Sequence, residues 1–584
     1  MPLSFFARWV GVCVFSLLLF PSLAADDLDH ISIEGTLQDS AQQRIANAQI
    51  TLIAVTTGQE RTTTSDAQGH YRFMKLLPGE YELRVKVSGF RPLQATFKVT
   101  AGTVVRGDFR LVVAALNEQL TVAATNDQII IDTTRTVVGS TITKRQIDDL
   151  PLESRNINDL IFMLSSAAQP AFDDRLLAEG DTKDRYRTTP EEAGIFALNG
   201  GTPFSNNLTI EGLDNNDDRG ARERFTPSVD AVEEFQVISN QFSAEYGRAA
   251  GGRVNLRLRS GTNNYHGRAF YYFRDEALNA NSFGRNADPA RGFRLPYQNH
   301  NPGLTFGGPI VHKKAFFFAA YEYDNIYDRA DIAALVPVAS NALFPLSPPN
   351  GKNLGSTAFD SKGQASTVNG GAAVGIFDQQ VTTPRTAHTV QTRTDFTLSN
   401  KQNLFAIFSL ARQRDERTFP GGRRLLDTLR TTGRNSEAFA VAHNFTLSAR
   451  AVNQARFQFA RLTPADAPLN DNPVVIIDID DPRDVSGNAN ANPFTRAGTL
   501  TAGSSNLSGV DRREDRYQVQ DTLTYLRGVH NLHFGLDLQA IRSRYEDLSD
   551  VTGTFRFASP ADFLAGKFTR YTHRFLAASQ LANT

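Results

Sequence analysis

Residues 231–273 of this 584-residue chain read AVEEFQVISNQFSAEYGRAAGGRVNLRLRSGTNNYHGRAFYYF. Alternating apolar and polar side chains predict three strands here, and clustered glycines predict a sharp change of direction between the first two. The elements are a strand at Phe235–Ile238, an elbow at Gly247, Gly251 and Gly252, a strand at Arg253–Arg259, a turn at Ser260–Asn264 and an aromatic strand at Tyr265–Phe273. The stretch therefore marks the boundary between a mixed region of helices and strands and a long β region.

The composition excludes several classes of protein. At 584 residues the chain is too long for one hydrophobic core, so several domains are expected. The net charge is -1 and the pI about 6.8, which gives no general electrostatic basis for binding nucleic acid. Mean hydropathy is -0.32, and beyond residue 24 no apolar run is long enough for a spanning helix. Strands of a membrane β-barrel remain compatible with these values, because only every second residue needs to be apolar.

The N-terminus has the three parts of a secretory signal peptide, predicted for residues 1–24. Arg8 supplies the positive charge, Trp9–Phe20 the apolar segment and Ser22–Ala24 the small-residue cleavage site. An uncleaved anchor helix is the alternative. The only cysteine, Cys13, lies inside the apolar segment, so the mature chain would have neither disulfide nor thiol chemistry. These features predict Sec-type export into a Gram-negative envelope.

Residues 25–113 have the period-two pattern of a small β-sandwich. Tyr81, Leu83 and Val85 alternate with charged residues, and turn residues such as Asp66–Gly69 separate the strands. One ordered set resembles the carboxypeptidase regulatory-like domain, which has a transthyretin-like fold. The set is Gly35, Ala48, Asp66, Gly69, Tyr71, Phe73, Pro78, Gly79, Tyr81, Gly89 and Phe90. The chain contains neither HxxE nor HExxH, so no zinc-ligand pair of a peptidase is present. We expect either a spacer role or the binding of a carbohydrate or partner protein.

Beyond residue 264 alternation and aromatic content predict nine strands. They are Tyr265–Arg274, Gly303–Ile310, Ala315–Tyr327, His388–Leu398, Leu404–Arg412, Glu437–Leu447, Val452–Leu462, Asp515–Leu526 and Leu532–Arg544. Their connections alternate between long segments, rich in Pro, Gly, Asn and Asp, and short turns, a geometry typical of bacterial outer-membrane barrels. A strand of about 10 residues at ~3.4 Å, tilted by ~45°, rises roughly 24 Å, close to the ~25 Å apolar band of such barrels.

The last two strands predict which face meets lipid. The lipid-facing residues would be Leu532, Phe534, Leu536, Leu538 and Ala540, with Tyr517, Val519, Leu523 and Tyr525 on the preceding strand. The lumen-facing residues would be His533, Gly535, Asp537 and Gln539, with Gln518, Gln520, Thr522 and Thr524. Asp521 breaks the lipid-facing row. Because a charge in lipid costs a few kcal/mol, we expect Asp521 to lie near a rim or to contact a neighbouring subunit or loop.

Three short motifs of the opening stretch resemble the junction between plug and first barrel strand in TonB-dependent outer-membrane receptors, especially the Oar-like branch. They are Glu245-Tyr246-Gly247-Arg248, Gly251-Gly252-Arg253-Val254-Asn255 and Ser260-Gly261-Thr262-Asn263. The junction residues that this resemblance assigns are Glu245, Tyr246, Gly247, Arg248, Gly251, Gly252 and Asn255. It implies a mostly β chain, with a transthyretin-like sandwich at 25–113, a connector at 114–135, an α+β plug at 136–264 and an incomplete antiparallel transmembrane β-barrel at 265–584.

Five connector residues are similar to a TonB box, the segment that pairs as a strand with an energy transducer. They are Glu118, Gln119, Leu120, Thr121 and Val122. Such pairing needs only an exposed extended backbone, so an ordinary linker strand is the alternative.

The resemblance implies a receptor in the lipid bilayer of the outer membrane. It would take up or sense an extracellular ligand, such as a carbohydrate or peptide, using a TonB-type energy transducer, and it would have neither catalytic activity nor a cofactor. A surface adhesin or carbohydrate-binding envelope protein without transport is the alternative. Receptors that hold a plug have about 22 strands, so nine cannot close around one. We therefore expect the N-terminal portion of a longer protein, since an open edge in lipid would leave unpaired backbone groups.

No residue pattern indicates a catalytic, cofactor or metal site. None of the ten histidines begins a metal or nucleophile signature. Asp214, Asn216 and Asp218 have the spacing of a calcium loop, but Arg219 stands where the turn glycine belongs and Phe225 where the closing glutamate belongs. We therefore favour a solvated loop over a calcium site.

Overall fold

The computed structural model describes residues 31–575 except 101–103, 114–119, 123–137, 153–154, 164–166, 169–195, 202–204, 219–221, 241–244, 282–285, 287–293, 360–363, 419–422, 483–497, 506–509, 528–529 and 548–549. The predicted signal peptide at 1–24 lies outside the described residues, as do Glu118 and Gln119 of the candidate TonB box. In the part of the chain that is described, no helix has the length and apolar character needed to span a membrane.

The N-terminal module, the described residues between 31 and 122, has two sheets around one core. Its strands are β1 Ile31–Asp39, β2 Gln49–Ala54, β3 Glu60–Thr64, β4 His70–Leu76, β5 Gly79–Lys86, β6 Leu93–Val99, β7 Val104–Arg106, β8 Phe109–Leu111 and β9 Leu120–Val122. In one sheet β1 pairs with β4, β7 and β8, and the other has the order β3-β2-β5-β6-β9. Tyr81, Leu83 and Val85 are buried in the shared core, as their alternation predicts.

The inner module, the described residues between 138 and 258, combines a five-stranded sheet with short helices. Its elements are β10 Val138–Thr143, α1 Lys144–Asp149, a 3-10 helix Ile157–Met163, β11 Ala167–Ala168, β12 Ala197–Leu198, β13 Asn206–Ile210, β14 Leu213–Asp214, a 3-10 turn Val229–Ala231, β15 Val232–Asn240 and β16 Gly252–Leu258. The sheet order is β10-β15-β16-β13-β14, with β15 and β16 antiparallel. At the start of α1 the Gln146 side chain accepts a hydrogen bond from the Thr143 amide at 2.9 Å. Because β15 and β16 are antiparallel neighbours, the first two strands predicted in residues 231–273 form a hairpin inside this module.

The rest of the chain is almost entirely strand. In order, its elements are β17 His266–Asp275, a 3-10 turn Glu276–Leu278, β18 Gln298–Val311, β19 Ala315–Tyr327, β20 Arg329–Pro337, β21 Asn353–Gly355, β22 Thr357–Phe359, β23 Ala365–Thr367, a 3-10 turn Asn369–Gly371, β24 Val374–Thr382, β25 Arg385–Ser399, β26 Gln402–Thr418, a 3-10 turn Leu426–Thr428, β27 Arg430–Ser448, β28 Ala451–Pro468, β29 Val474–Ile479, β30 Gly498–Ala502, β31 Val510–Arg527, β32 His530–Asp547, β33 Thr554–Phe557, α2 Pro560–Leu564 and β34 Arg570–Thr572. Nine of these strands form one sheet in the order β17-β18-β19-β25-β26-β27-β28-β31-β32. These are the nine strands predicted from the sequence, and every neighbouring pair is antiparallel. Among the described strands this sheet is open, with β17 and β32 at its edges.

Burial along β31 agrees with the predicted faces, whereas residues on both faces of the edge strand β32 are exposed and burial does not distinguish them. Leu538 on β32 and Tyr517 on β31 are 63% and 46% exposed, whereas Gln518 on the other face is 1% exposed. Asp521 accepts a hydrogen bond from the Asn453 amide at 2.9 Å. The donor is the side-chain amide of the third residue of the neighbouring strand β28, so a partner within the sheet binds this carboxylate. The expected position of Asp521 near a rim or beside a subunit or loop stays a prediction.

The long connections form a folded outer layer, which was predicted only as loops. It contains a three-stranded sheet β20-β24-β21, a four-stranded sheet β30-β29-β33-β34 and the helix α2. Ile332, Val374, Leu425, Ile477 and Phe557 are fully buried in one hydrophobic cluster, although they come from three separate connections and from the segment after β32. Each connection contributes too few apolar residues to reveal a core by itself. The outer layer lies beyond the ends of the strands that the long connections join.

Candidate functional site: a buried ionic interface

The inner module contacts the polar face of the nine-stranded sheet through three clusters of charged side chains. The central cluster joins the loop after β14 to β31. Arg516 places its two Nη atoms 2.5 Å from Asp214 Oδ1 and 2.5 Å from Asp218 Oδ2. Arg512 Nη2 lies 2.5 Å from Asp217 Oδ2, and both arginine side chains are almost completely buried. Buried guanidinium groups require such partners, because an isolated charge away from water is costly.

Further arginines complete the central cluster. Within the inner module, Arg248 lies 3.2 Å from Asp214 and 2.6 Å from Asp218. From the sheet, Arg434 Nη2 of β27 is 3.4 Å from Asp217 Oδ2. Burial alone would raise the pKa of Asp218, but Arg516 and Arg248 outweigh burial and hold that pKa below its usual value. The Asp218 carboxylate therefore stays ionised in the interface.

The central cluster overturns the sequence interpretation of this segment. Asp214 and Asn216 are 3% and 5% exposed, so the solvated loop favoured above is wrong for these two residues, whereas Asp218 is exposed. The carboxylates of Asp214 and Asp218 face guanidinium groups. In the described part of the chain, no three His, Cys, Asp or Glu side chains are grouped to hold a metal ion. Arg512, Glu514 and Arg516 repeat with period two on the buried face of β31, and this signal could have indicated a buried ionic row.

The side cluster joins the turn after β13 to β25. Arg393 Nη1 lies 2.7 Å from Glu211 Oε1, and its Nη2 lies 2.8 Å from Asp395 Oδ1. The same Glu211 oxygen accepts a hydrogen bond from the Leu258 amide at 2.8 Å. The Arg393 guanidinium also lies 4.4 Å from the centre of the Phe405 ring. One arginine of the sheet therefore holds the end of β16 and the turn after β13 together.

The upper cluster joins the 3-10 turn before β15 to β17 and β19. Arg155 Nη2 lies 2.8 Å from Asp230 Oδ2, and Arg155 Nε lies 3.1 Å from Glu322 Oε1 of β19. Arg268 of β17 reaches the other Asp230 oxygen at 2.7 Å. This cluster ties the inner module to the first strands of the sheet.

Each cluster contains one non-glycine residue in the left-handed backbone region. Arg155, Glu211 and Arg248 have φ values of 52°, 51° and 59°. Side chains with a Cβ rarely adopt this conformation, which the surrounding contacts must maintain. The positions of these three charges are therefore fixed by the backbone as well as by their ionic partners.

A cavity of about 680 Å³ lies between the inner module and the sheet. Most of its lining side chains are polar, and its charged residues are Asp148, Arg155, Arg222, Glu223, Arg224, Asp230, Arg268, Arg274, Glu322, Asp324, Arg385, Arg412 and Arg434. Asp324 and Arg385 are located at the ends of β19 and β25 that face the long connections. The cavity therefore lies on the outer-layer side of the inner module. Its size lies within the usual range for a pocket that binds a small organic ligand.

The seven predicted junction residues organise the inner module and its contact with β32. Glu245 Oε1 lies 3.1 Å from His533 Nδ1 of β32. The Tyr246 ring lies 3.6 Å from the guanidinium of Arg253, and the Gly247 carbonyl accepts a hydrogen bond from Asn207 at 3.0 Å. The first part of the junction thus connects β16, β13 and the sheet.

The remaining junction residues are placed by close packing. A Cβ added at Gly251 would lie 2.8 Å from Asn206 Oδ1. One added at Gly252 would lie 2.5 Å from Leu198 Cδ1. Asn255 Oδ1 accepts hydrogen bonds from the Gly212 amide at 3.0 Å and from the Thr209 hydroxyl at 2.9 Å. These residues pack β16 against β12 and β13. The chain itself passes from the inner module to the sheet between β16 and β17.

Three residues of the candidate TonB box are described. Leu120, Thr121 and Val122 form β9, which pairs in parallel with Leu93–Ala95 of β6. The segment is therefore extended, and its role as a TonB box stays a prediction.

Comparisons with known proteins agree with this architecture. Residues 257–583 match the family model described as outer membrane beta barrel domain, which covers more than half of the chain. Residues 32–112 match the carboxypeptidase regulatory-like domain. The chain belongs to the outer membrane β-barrel family and lies in the outer membrane of a Gram-negative bacterium.

Relatives specify the class further. The chain is 27% identical over 322 residues to the TonB-dependent transporter Oar of Myxococcus xanthus, in a match that covers 54% of this chain and 28% of Oar. Together with the two family matches, this relationship places the chain with the Oar-like TonB-dependent receptors.

Solved structures of outer-membrane proteins are also similar. The outer membrane transporter YddB from Escherichia coli matches with 12% identity and a TM-score of 0.48, over 74% of this chain and 51% of YddB. The siderophore receptor PirA from Acinetobacter baumannii matches with 14% identity and a TM-score of 0.40, over 71% of this chain and 49% of PirA. The chain thus spans about half the length of these structures.

Proposed function

We propose that the chain acts in the energised uptake or sensing of an extracellular ligand and has no catalytic activity of its own. In this proposal the inner module is the plug, the nine-stranded sheet is part of the barrel wall, and the ligand enters the cavity from the outer-layer side. The observation that carries the proposal is the interface itself. Three ionic clusters hold the inner module against the sheet, while a cavity remains open between them.

An ionic interface suits a module that must move under force. A buried ion pair adds little net stability compared with apolar packing, because desolvation offsets most of the attraction. When water enters the lumen, the separated charges are hydrated again. The inner module is therefore held in one defined position at rest and can be displaced without exposing a large apolar surface.

The connector provides the proposed point of attachment for the transducer. Deletion of Glu118–Val122 in the intact gene should abolish binding of the periplasmic domain of the TonB-type transducer to isolated outer membranes. Deletion of Ala123–Asp127 shortens the connector equally and should leave binding in place. Equal binding by both deletion variants would exclude this segment as the attachment point.

Adhesion is a second candidate function, because the outer layer has its own core and exposes apolar side chains. Leu343, Phe568 and Phe575 are 78%, 51% and 84% exposed. A contiguous exposed apolar patch is typical of interaction sites. Ring contacts connect Phe568 to Phe575 through three intervening rings. Substitution of Leu343 and Phe568 by serine should reduce adherence of cells to a polymer-coated surface without changing transducer binding. Unchanged adherence would argue against this function.

A further inference from the structure

The β6 edge of the N-terminal module is occupied by the segment that the proposed function assigns to the transducer. On one side β6 pairs with β5, and on the other Leu93, Gln94 and Ala95 pair with Leu120, Thr121 and Val122. The chain approaches this edge directly, because the Arg91 amide donates to the Val112 carbonyl at 2.8 Å. A sheet edge exposes unpaired N–H and C=O groups that will accept one further strand.

The N-terminal module also contacts the end of the nine-stranded sheet that has the short turns. Arg61 Nη2 donates to Thr446 Oγ1 at 2.9 Å, close to the turn between β27 and β28. The Asn263 amide donates to the Thr56 carbonyl at 3.1 Å, between β16 and β17. The Gln59 side chain bonds to Asn403, next to the turn before β26. The module thus touches three points around the short-turn rim.

The same module reaches the underside of the inner module. Lys75, Leu76 and Leu77, at the end of β4, line a small gap together with Glu211 and Gly212 of the inner module. Glu211 is the acidic residue of the side cluster. The N-terminal module therefore lies across the face through which the inner module would have to move.

We infer that the β6 edge is a docking site for Leu120–Val122 that competes with the energy transducer, so that the docked N-terminal module latches the receptor in a closed state. This inference rests on the proposed function. A strand that pairs through its backbone with β6 cannot offer the same hydrogen-bonding edge to a second partner. Undocking of the N-terminal module must therefore precede attachment of the transducer.

An engineered disulfide tests the docking directly. Gln94 and Thr121 are register partners on adjacent parallel strands. Neighbouring strands lie about 4.8 Å apart, which is within the Cα separation that a disulfide can bridge. Cys13, the only native cysteine, lies in the predicted signal peptide and would be absent from the mature chain. The double variant Gln94→Cys/Thr121→Cys, expressed from the intact gene, should form an intramolecular disulfide in the periplasm. It is detected as a disulfide-linked peptide pair by mass spectrometry.

The matched control shifts the register by one residue. Val122 is in register with Ala95 and not with Gln94, and successive residues of a strand alternate between its two faces. Gln94→Cys/Val122→Cys should therefore remain largely reduced. Equal cross-linking of both pairs, or none in either, would overturn the docking.

Transducer binding then tests the competition. Outer membranes with the oxidised Gln94→Cys/Thr121→Cys variant should bind the transducer's periplasmic domain at least about tenfold more weakly than the same membranes after reduction. Equal binding before and after reduction would overturn the competition. The two claims can fail separately. If the cross-link forms but deletion of Glu118–Val122 leaves transducer binding intact, the TonB-box assignment and the latch are both refuted. The docking of Leu120–Val122 on β6 would still hold in that case.

Discussion

Replacement of Arg516 by alanine should loosen the inner module selectively. Arg516 is fully buried and contacts Asp214 and Asp218, so its removal takes a partner from the buried Asp214 carboxylate and from the partly exposed Asp218 carboxylate. Breaking a buried pair costs about 3–5 kcal/mol, and because Arg248 still contacts both carboxylates we expect about 3 kcal/mol. A loss of about 3 kcal/mol raises the rate of amide hydrogen exchange through local opening by roughly 100-fold.

A neighbouring arginine provides the control. Arg513 lies on the other face of β31, with its side chain 51% exposed, and it contacts Asp515, which Arg461 also contacts. Its replacement by alanine should cost less than about 1 kcal/mol. Hydrogen exchange is measured by mass spectrometry on the purified receptor in detergent. Arg516→Ala should exchange faster than the unmodified receptor in β13–β16, and Arg513→Ala should exchange at the same rate as the unmodified receptor. Equal protection in both variants would refute the structural role of the central cluster.

Three further predictions concern other parts of the chain. Gly261→Ala should destabilise the segment that leads into β17, because the added Cβ would lie 2.3 Å from a backbone oxygen of β19. Gly247→Ala should leave stability unchanged, because nothing lies within 4 Å of its Cβ position. Urea unfolding of the two variants measures the difference. Phe557→Ala should lower the stability of the outer layer by about 3–5 kcal/mol, because it leaves a cavity in the core. Phe568→Ala should lower it little, because Phe568 is exposed. Limited proteolysis of intact cells would reveal the difference. Burial raises the pKa of Asp427 to about 6, so its ionised form destabilises the outer layer. Stability should therefore rise by about 1 kcal/mol as pH falls from 7.5 to 5 and the carboxyl gains its proton, and Asp427→Asn should remove this rise in a pH series of thermal melts. Equal results for a variant and its control, or a pH series that Asp427→Asn leaves unchanged, would refute the corresponding prediction.

The strands of the nine-stranded sheet were predictable because each carries its own period-two signal. Leu532, Phe534, Leu536 and Leu538 alternate with polar residues, and no distant contact is needed to assign their faces. The same holds for β5 and β6 in the N-terminal module. Where one face meets an apolar environment and the other meets polar groups, local sequence is sufficient to predict both strand and face.

The outer layer and the ionic interface depend on contacts between distant residues. Ile332 and Phe557 share one core but are separated by more than two hundred residues, and their short strands resemble loop sequence. Asp214 and Asp218 were interpreted as solvated because Arg512 and Arg516, about three hundred residues later, cannot be assigned to them without the register of β31. The sequence shows the charges but not their partners.

A cysteine scan of residues 532–540 in isolated outer membranes tests the central claim, that this sheet crosses the bilayer around the inner module. Each single cysteine is labelled with a fluorophore and quenched either by a lipid-confined agent or by a water-soluble one. The lipid-confined agent should quench the fluorophore at the even-numbered positions, from Leu532 to Ala540. It should not quench the fluorophore at the odd-numbered positions, from His533 to Gln539. Quenching of both sets by the water-soluble agent alone would place the sheet outside the membrane and contradict the account.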